Sequence, residues 1–200
     1  MGLHEAQSGQ NLRHAWLAAG LIAVLSAALQ FAGLDAVCAW DREALANGEA
    51  WRLVTGHLVH LGWSHLLLNL AGLALIVWIV GRAWDMQGWL VVSLVTIGVI
   101  GVGFWALNPE LEWYVGLSGL LHGLLAAGLV VGVVRRETES LVLAVLVAGK
   151  LAWEQLAGPL PGSEGASGGA VIVDAHLYGA VGGMLAALAM WRRVQPAAPI

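Results

Sequence analysis

The sequence predicts an all-α membrane protein: a bundle of six transmembrane helices with both termini in the cytoplasm. Of its 200 residues, 59% are hydrophobic and only 11% are charged, whereas about a quarter of the residues of a soluble domain are charged. Six apolar segments of 17 to 22 residues are long enough to cross the hydrocarbon core of a bilayer. The arginines, finally, are unevenly divided between the two sides that these segments define.

The six predicted spans leave no room for a second folded domain, so residues 1–200 are expected to form a single membrane domain. The first apolar run is too long for a signal peptide and no clear cleavage site follows it, so we expect it to be retained. The predicted spans are Ala15–Leu34, Ser64–Val80, Gly88–Leu107, Val115–Val134, Leu141–Ala157 and Ala170–Trp191.

Two connecting segments differ from ordinary short loops. Residues 35–63 are too apolar for a solvated loop and too polar for a span, so this loop is expected to lie in the outer membrane interface. Residues 158–169 are rich in Gly, Pro and Ser. That composition fits a mobile linker slightly better than an active-site cap, and both interpretations stay open.

Lys and Arg orient the chain, because cytoplasmic loops are enriched in them. A cytoplasmic N-terminus leaves only Arg42 and Arg52 on the outer side. An even number of spans then returns the C-terminus to the cytoplasm. The arginines assigned to the inner side are Arg13, Arg82, Arg135, Arg136, Arg192 and Arg193.

Five polar side chains lie inside the predicted spans, where polar groups are costly and often functional. His65 and Asn69 lie in the first turns of span two, Ser118 and His122 in the first turns of span four, and His176 in the second turn of span six. All of these spans start on the outer side. At about 1.5 Å per residue, the five residues share one depth. The sequence therefore predicts one polar pocket that opens outward.

Small residues at four-residue spacing predict how spans four and six meet, since such stripes allow close helix packing. His176 precedes the stripe of span six by three residues, and Ser118 precedes that of span four directly. If the stripes face each other, Ser118 and His176 come within reach. The stripes are Gly119, Gly123 and Ala127 in span four, and Gly179, Gly183 and Ala187 in span six.

A serine hydroxyl becomes an effective nucleophile when a histidine takes its proton. Ser118 and His176 are therefore predicted as nucleophile and general base. No carboxylate is expected to complete a triad, because Asp174 lies only two residues from His176 and would point elsewhere on a helix. A Ser–His dyad is the expected arrangement.

The oxyanion that forms during acyl transfer needs fixed hydrogen-bond donors. His65 and Asn69, four apart on one helical face, are candidate donors. Backbone N–H groups near Leu117 and Ser118 are further candidates. The turn Gly116-Leu117-Ser118-Gly119 is flexible enough to present them at a helix start.

These residues resemble the hallmark motifs of the rhomboid intramembrane serine proteases. His65-Leu-Leu-Leu-Asn69, Gly116-Leu-Ser118-Gly119 and Ala175-His176-x-x-Gly179-x-x-x-Gly183 match three of them in order and in the right spans. Trp51-Arg52 resembles a motif of the family's first loop and is expected to anchor the fold. His60, five residues before His65, also matches a position often occupied in the family.

The resemblance implies a six-span protease with Ser118 as nucleophile and His176 as base. It also implies an oxyanion hole formed by His65, Asn69 and backbone amides near Ser118, and a mobile fifth span through which substrate helices enter from lipid. The better-studied bacterial members have a tyrosine four residues after the serine, packed on the histidine. Here His122 stands in that position, which leaves open whether it supports His176 or fills the core.

The strings GLSGLLHG and DAHLYGA most resemble the rhombosortase branch of the family. That branch implies a bacterial inner-membrane protein whose active site opens to the periplasm. Its substrates are proteins with a C-terminal Gly-Gly, an apolar helix and a basic cluster, and a lipid amine is a conceivable acceptor for the cleaved chain. A general housekeeping rhomboid is the alternative.

Other classes of function fit the sequence less well. A haem- or metal-binding protein is suggested by His57, His60, His65, His122 and His176, but no metal motif and no carboxylate near them in the helices is expected, so no cofactor or metal is predicted. For His57 and His60 we expect structural hydrogen bonds. An inactive relative that escorts helices is disfavoured because both the serine and the histidine are present. Nothing indicates nucleic-acid binding.

Lys150 and Glu154 are four residues apart in span five. The preferred interpretation is an ion pair in which each residue shields the other from lipid. The alternative is that they line the substrate gate and contact a polar feature of the substrate.

Overall fold

The computed structural model describes residues 3–191, which are mostly helical. Arg192 and Arg193, assigned above to the inner side, lie outside the described residues. Within residues 3–191 the elements are α1 (Leu3–Phe31), α2 (Asp35–Cys38), β1 (Trp40–Asp41), α3 (Arg42–Ala46), α4 (Arg52–Thr55), α5 (Trp63–Val80), α6 (Met86–Leu107), β2 (Trp113–Tyr114), α7 (Ser118–Val134), α8 (Thr138–Ala157), α9 (Ser163–Ser167) and α10 (Val173–Ala189).

Four helices of the described chain, α1, α5, α6 and α8, are long and apolar enough to cross a membrane. Helices α7 and α10 are also apolar but have 17 residues each. The prediction of a mainly helical, membrane-spanning chain is therefore confirmed. The number of six spans and the cytoplasmic position of both termini stay predictions.

Several helix boundaries differ from the predicted spans. Helix α7 begins at Ser118 rather than Val115, because Gly116 has a φ of +123°, which is incompatible with a helix. Helix α10 begins at Val173 rather than Ala170. Helix α1 ends at Phe31, just before Gly33, whose φ is +63°.

Residues 35–63 are ordered into short elements rather than a plain loop. Strand β1 pairs antiparallel with β2, with Trp40 opposite Tyr114 and Asp41 opposite Trp113. The all-α prediction therefore needs a small correction. This pairing joins the first loop to the residues that directly precede α7.

Two arginines fix this outer loop by donating to backbone carbonyls. Arg52, which is 8% exposed, donates to the carbonyls of Ala36 and Ala39 at 3.0 and 2.9 Å. Arg42 donates to the carbonyls of Phe104 and Asn108 at the end of α6, at 2.6 and 2.7 Å. Trp51, which precedes Arg52 in the predicted anchor motif, is by contrast exposed.

At two positions, helices α7 and α10 pack so closely that a side chain larger than hydrogen cannot fit between them. A Cβ atom at Gly179 would overlap the carbonyl oxygen of Gly119, and one at Gly183 would overlap that of Gly123. The two predicted stripes of small residues therefore face each other.

Helix α8 is much less embedded than α7 and α10. Of its 20 residues, only Leu151 and Glu154 are buried. An apolar cavity of about 330 Å³ separates part of α8 from α7 and α10, lined by residues such as Ala126, Val147 and Met184. Glu154 is thus a buried charge on an otherwise exposed helix.

Candidate active site

Ser118 is the first residue of α7 and follows a turn that only glycine can form at position 116. The φ of Gly116 is +123°, and an added Cβ would lie 2.8 Å from Cε1 and 2.9 Å from Nε2 of His65. Tyr114 donates to the carbonyl of Gly116 at 2.7 Å. This turn presents Ser118 at a helix N-terminus, next to the ring of His65.

His176 lies in the first turns of α10, opposite Ser118. Its Nε2 is 3.0 Å from Oγ of Ser118, a hydrogen-bonding distance. The ring is 5% exposed. The close contact of Gly179 with Gly119 brings the two helices near enough for this bond. The structure thus brings together the two residues predicted as nucleophile and base.

His65 and Asn69 lie one turn apart on α5, beside the Ser118 turn. The amide of Leu61 donates to Nδ1 of His65 at 3.4 Å, so the ring proton belongs on Nε2, the atom near Gly116. Asn69 is 5% exposed and its Nδ2 donates to the carbonyl of His65 at 3.2 Å. His65 therefore offers a donor on the side of the Ser118 turn.

The backbone at the start of α7 supplies further donors. The first four amides of a helix have no acceptor within that helix. At α7 these belong to Ser118 and the residues beside it, with Leu117 at the N-cap position. Leu117 itself is fully buried.

A cavity of about 300 Å³ joins these groups. His65, Asn69, Ser118 and His176 all line it. The segment around α9 covers it, with Ser163, Ala166, Ser167 and Ala170 facing the cavity. Four of the five polar residues predicted to share one pocket therefore line this cavity, whereas His122 does not line it and packs on His176. The 158–169 segment lies over the pocket. The composition of this segment alone slightly favours a linker over an active-site cap.

A larger cavity of about 370 Å³ adjoins this one and shares Tyr114, Val115, Ala170 and Ile172 with it. Neither Ser118 nor His176 lines it. We therefore regard the smaller cavity as the candidate active site, since it contains the reactive groups.

The expectation that no carboxylate lies near His176 is wrong. Glu154 of α8 places its two carboxylate oxygens 3.1 and 3.0 Å from Nδ1 of His176. Asp174 instead accepts from Nδ2 of Asn108 at 2.6 Å, as its different direction on the helix requires. The carboxylate that reaches His176 thus comes from a neighbouring helix and not from its own helix.

The ion pair between Lys150 and Glu154 is present, at 2.7 Å. The two side chains do more than shield each other from lipid, because they also contact histidines of the candidate site. Lys150 Nζ also lies 2.8 Å from Nε2 of His122 and 3.3 Å from Nδ1 of His176.

His122 packs flat on His176, with ring centroids 4.3 Å apart and planes inclined by 21°. Its Nδ1 lies 2.8 Å from the carbonyl oxygen of Ser118. Of the two interpretations left open for His122, contact with the candidate base is the one that the geometry favours.

The five outer histidines do not converge on one point in the described chain. His57 packs edge-on against Tyr114, and His60 against His65. Burial lowers the pKa of His57 to about 4, partly offset by a hydrogen bond with the backbone of Gly116. Burial, with a smaller contribution from His65, also lowers the pKa of His60 to about 4. Both rings are therefore held neutral.

Among the described residues, three side chains of the kinds that bind metal ions lie close together. Donor atoms of His122, Glu154 and His176 lie within 4.8 Å of one another. The ammonium of Lys150 contacts all three, so the positive charge that such a group attracts is already supplied by the chain.

Residues 47–193 of the chain match the rhomboid domain family. The chain belongs to the rhomboid family. It is a rhomboid-family serine protease and a multi-pass membrane protein. Proteases of the rhomboid family act on transmembrane protein substrates within the lipid bilayer.

Similar proteins are found in several organisms. A Bacillus subtilis (strain 168) protein named as a rhomboid protease, YdcA, is 30% identical over 142 residues, which are 70% of this chain and 67% of that protein. Rhomboid-like protease 5 of Toxoplasma gondii is 39% identical over 90 residues, which are 44% of this chain but only 11% of that protein. An uncharacterized protein of Mycobacterium tuberculosis (strain ATCC 25618 / H37Rv) is 32% identical over 155 residues, which are 68% of this chain and 58% of that protein.

Sequence reasoning missed two contributors to this rhomboid site. Tyr114 supports the Gly116 turn, and no pattern in the sequence singles it out. Glu154 could have been found from its depth: it lies three residues before the end of α8, at Ala157. Under the predicted topology, that end is on the same outer side as the start of α7 and α10.

Proposed function

We propose that this rhomboid protease cleaves transmembrane segments near the outer face of the membrane, with Ser118 as nucleophile and His176 as general base. The observation that supports this most strongly is the 3.0 Å contact between Oγ of Ser118 and Nε2 of His176 in a cavity that His65 and Asn69 also line. A hydroxyl and an imidazole at this distance can exchange a proton during attack.

In the proposed reaction, Nε2 of His176 takes the proton of Ser118 as Oγ attacks the scissile carbonyl carbon. The oxyanion that develops is stabilised by Nε2–H of His65, the side-chain amide of Asn69 and backbone amides at Leu117 and Ser118. His176 then gives its proton to the leaving nitrogen, and an acyl-enzyme remains. Water, or an amine, releases the acyl group.

We further propose that the protein works as a rhombosortase in a bacterial inner membrane, with the site open to the periplasm. Its substrates would carry a C-terminal Gly-Gly, an apolar helix and a basic cluster. This proposal is supported by the resemblance of the strings GLSGLLHG and DAHLYGA to that branch. A housekeeping rhomboid with broader substrates is the second candidate.

Labelling with a fluorophosphonate tests the nucleophile. The purified wild-type protein in detergent should be labelled, while Ser118→Ala and His176→Ala should not. Labelling that persists in Ser118→Ala would remove Ser118 as the nucleophile.

Co-expression with a tailed substrate tests the rhombosortase proposal. The wild-type enzyme should process a reporter that ends in Gly-Gly, an apolar helix and basic residues, and Ser118→Ala should not. The matched control is the same reporter with Leu-Leu in place of Gly-Gly. Equal processing of both reporters would favour the housekeeping alternative.

A further inference from the structure

The contacts of His176 define where its proton lies. Nδ1 faces both carboxylate oxygens of Glu154, at 3.0 and 3.1 Å, and Nε2 faces the hydroxyl of Ser118. An ionised carboxylate only accepts hydrogen bonds. Lys150 Nζ also lies 3.3 Å from Nδ1, but it has nearer acceptors in Glu154 and His122, at 2.7 and 2.8 Å. We therefore assign the proton of the neutral ring to Nδ1, which leaves the lone pair of Nε2 directed at Ser118.

Lys150 and His122 extend this contact into a closed ring of hydrogen bonds. An ammonium only donates, so Lys150 donates to the carboxylate of Glu154 at 2.7 Å and to Nε2 of His122 at 2.8 Å. His122 must then be protonated at Nδ1, which donates to the carbonyl of Ser118 at 2.8 Å. The ring of contacts begins and ends at Ser118, and this assignment of protons gives each bond in the ring one donor and one acceptor. The 3.3 Å approach of Lys150 Nζ to Nδ1 of His176 lies outside the ring and joins two donors, so it is not a hydrogen bond under this assignment.

We propose that Glu154 is a positioning residue that acts through His176 and completes a Ser118–His176–Glu154 triad. This inference rests on the proposed function and deepens it. Glu154 holds His176 as the Nδ1–H tautomer, the only neutral form that can accept the proton of Ser118. It also balances the positive charge of His176 once that proton has moved to Nε2. Glu154 itself stays ionised throughout.

The burial of Glu154 distinguishes this role from simple pairing with Lys150. The side chain of Glu154 is 3% exposed, whereas that of Lys150 is 27% exposed. An ion pair that only shields itself from lipid needs no third partner, yet both oxygens of Glu154 face His176. Lys150 neutralises the buried carboxylate and, through His122, also connects it to the backbone of Ser118.

The first test is to measure the kinetics of a variant in which the carboxylate of Glu154 is replaced by an amide. We expect Glu154→Gln to lower kcat on a transmembrane substrate by about 10⁴-fold, the loss seen when a triad carboxylate is replaced by its amide. KM should change by less than about twofold, since Glu154 does not line the cavity of Ser118. The control is Glu139→Gln, the same exchange at an exposed position near the other end of α8, which should keep both constants.

Nitrogen NMR provides a second test, in which the protonation of His176 is read from the wild-type protein itself. In neutral histidine, the protonated and unprotonated ring nitrogens have well-separated ¹⁵N shifts. At about pH 8, where imidazole is ordinarily neutral, His176 should show a protonated Nδ1 and an unprotonated Nε2. Its signals are assigned by their loss in His176→Ala.

The outcomes separate this inference from the proposed function. A wild-type protein that is not labelled at Ser118 would reject the proposed protease chemistry itself. A labelled wild-type protein whose His176 is protonated at Nε2 would overturn the role of Glu154 alone. So would a folded Glu154→Gln variant with wild-type kcat.

Discussion

Replacement of Gly116 by alanine tests whether the position of His65 matters for catalysis. The new Cβ would lie 2.8 Å from Cε1 of His65, so the ring must recede by about 0.6 Å to reach the 3.4 Å of an ordinary contact. Misplacement of a reacting group by about 1 Å can cost 10²-fold in rate. For Gly116→Ala we therefore expect the rate at which Ser118 reacts with a fluorophosphonate to fall by about 10- to 100-fold.

The same substitution also strains the backbone, because an alanine must adopt a φ near +123°. Such strain costs about 1–3 kcal/mol and should lower the melting temperature. The matched control is Gly48→Ala: Gly48 has a φ of +95° and no atom within 4 Å of an added Cβ. The Gly48→Ala variant should lose stability but keep its activity.

The assay is the rate of fluorophosphonate labelling, measured beside the thermal unfolding curve of each variant. The reasoning is refuted if Gly116→Ala is labelled as fast as Gly48→Ala at equal loss of stability. In that case the ring of His65 either moves without consequence or contributes no donor.

Three further predictions concern packing, pH and the outer loop. Gly179→Ala should abolish labelling, because its Cβ overlaps the carbonyl of Gly119 and must push α10 away from α7; unchanged labelling would contradict the close packing. Burial lowers the pKa of His57 and His60 to about 4, from 6.5 when unfolded, so unfolding takes up protons between those values. The free energy of unfolding should therefore be highest above pH 6.5 and fall as the pH drops to 4, by up to about 1.4 kcal/mol per pH unit for each histidine. Melting temperatures that stay level from pH 7 to pH 4.5 would argue against this. Arg42→Met should lower the melting temperature by removing the donors to the carbonyls that end α6, and an unchanged value would show that solvent replaces them.

The fold was predictable to the extent that it follows from apolar length and small-residue spacing. Long apolar runs gave the helices, and the glycine stripes gave the facing surfaces of α7 and α10. The exact start of α7 was not predictable, because it depends on the left-handed turn at Gly116. The pairing of β1 with β2 joins residues more than 70 positions apart, and no local pattern indicates it.

The candidate site was predictable for residues whose position can be worked out along their own helix. Ser118, His176, His65 and Asn69 share a depth that can be counted along each span. The contact of Glu154 with His176 depends instead on how α8 is rotated against α10. That rotation comes from packing between helices, and the spacing of Lys150 and Glu154 along α8 does not contain it.

The weak embedding of α8 has a consequence for how the site could be disabled. Ser118 and His176 belong to two helices held together by backbone contact, whereas Glu154 is carried by a helix with one other buried residue, Leu151. A sideways shift of α8 by about 1 Å would stretch the contacts of Glu154 beyond hydrogen-bonding range. The serine and histidine would stay at the same distance, but the imidazole would be free to exchange its proton between its two nitrogens.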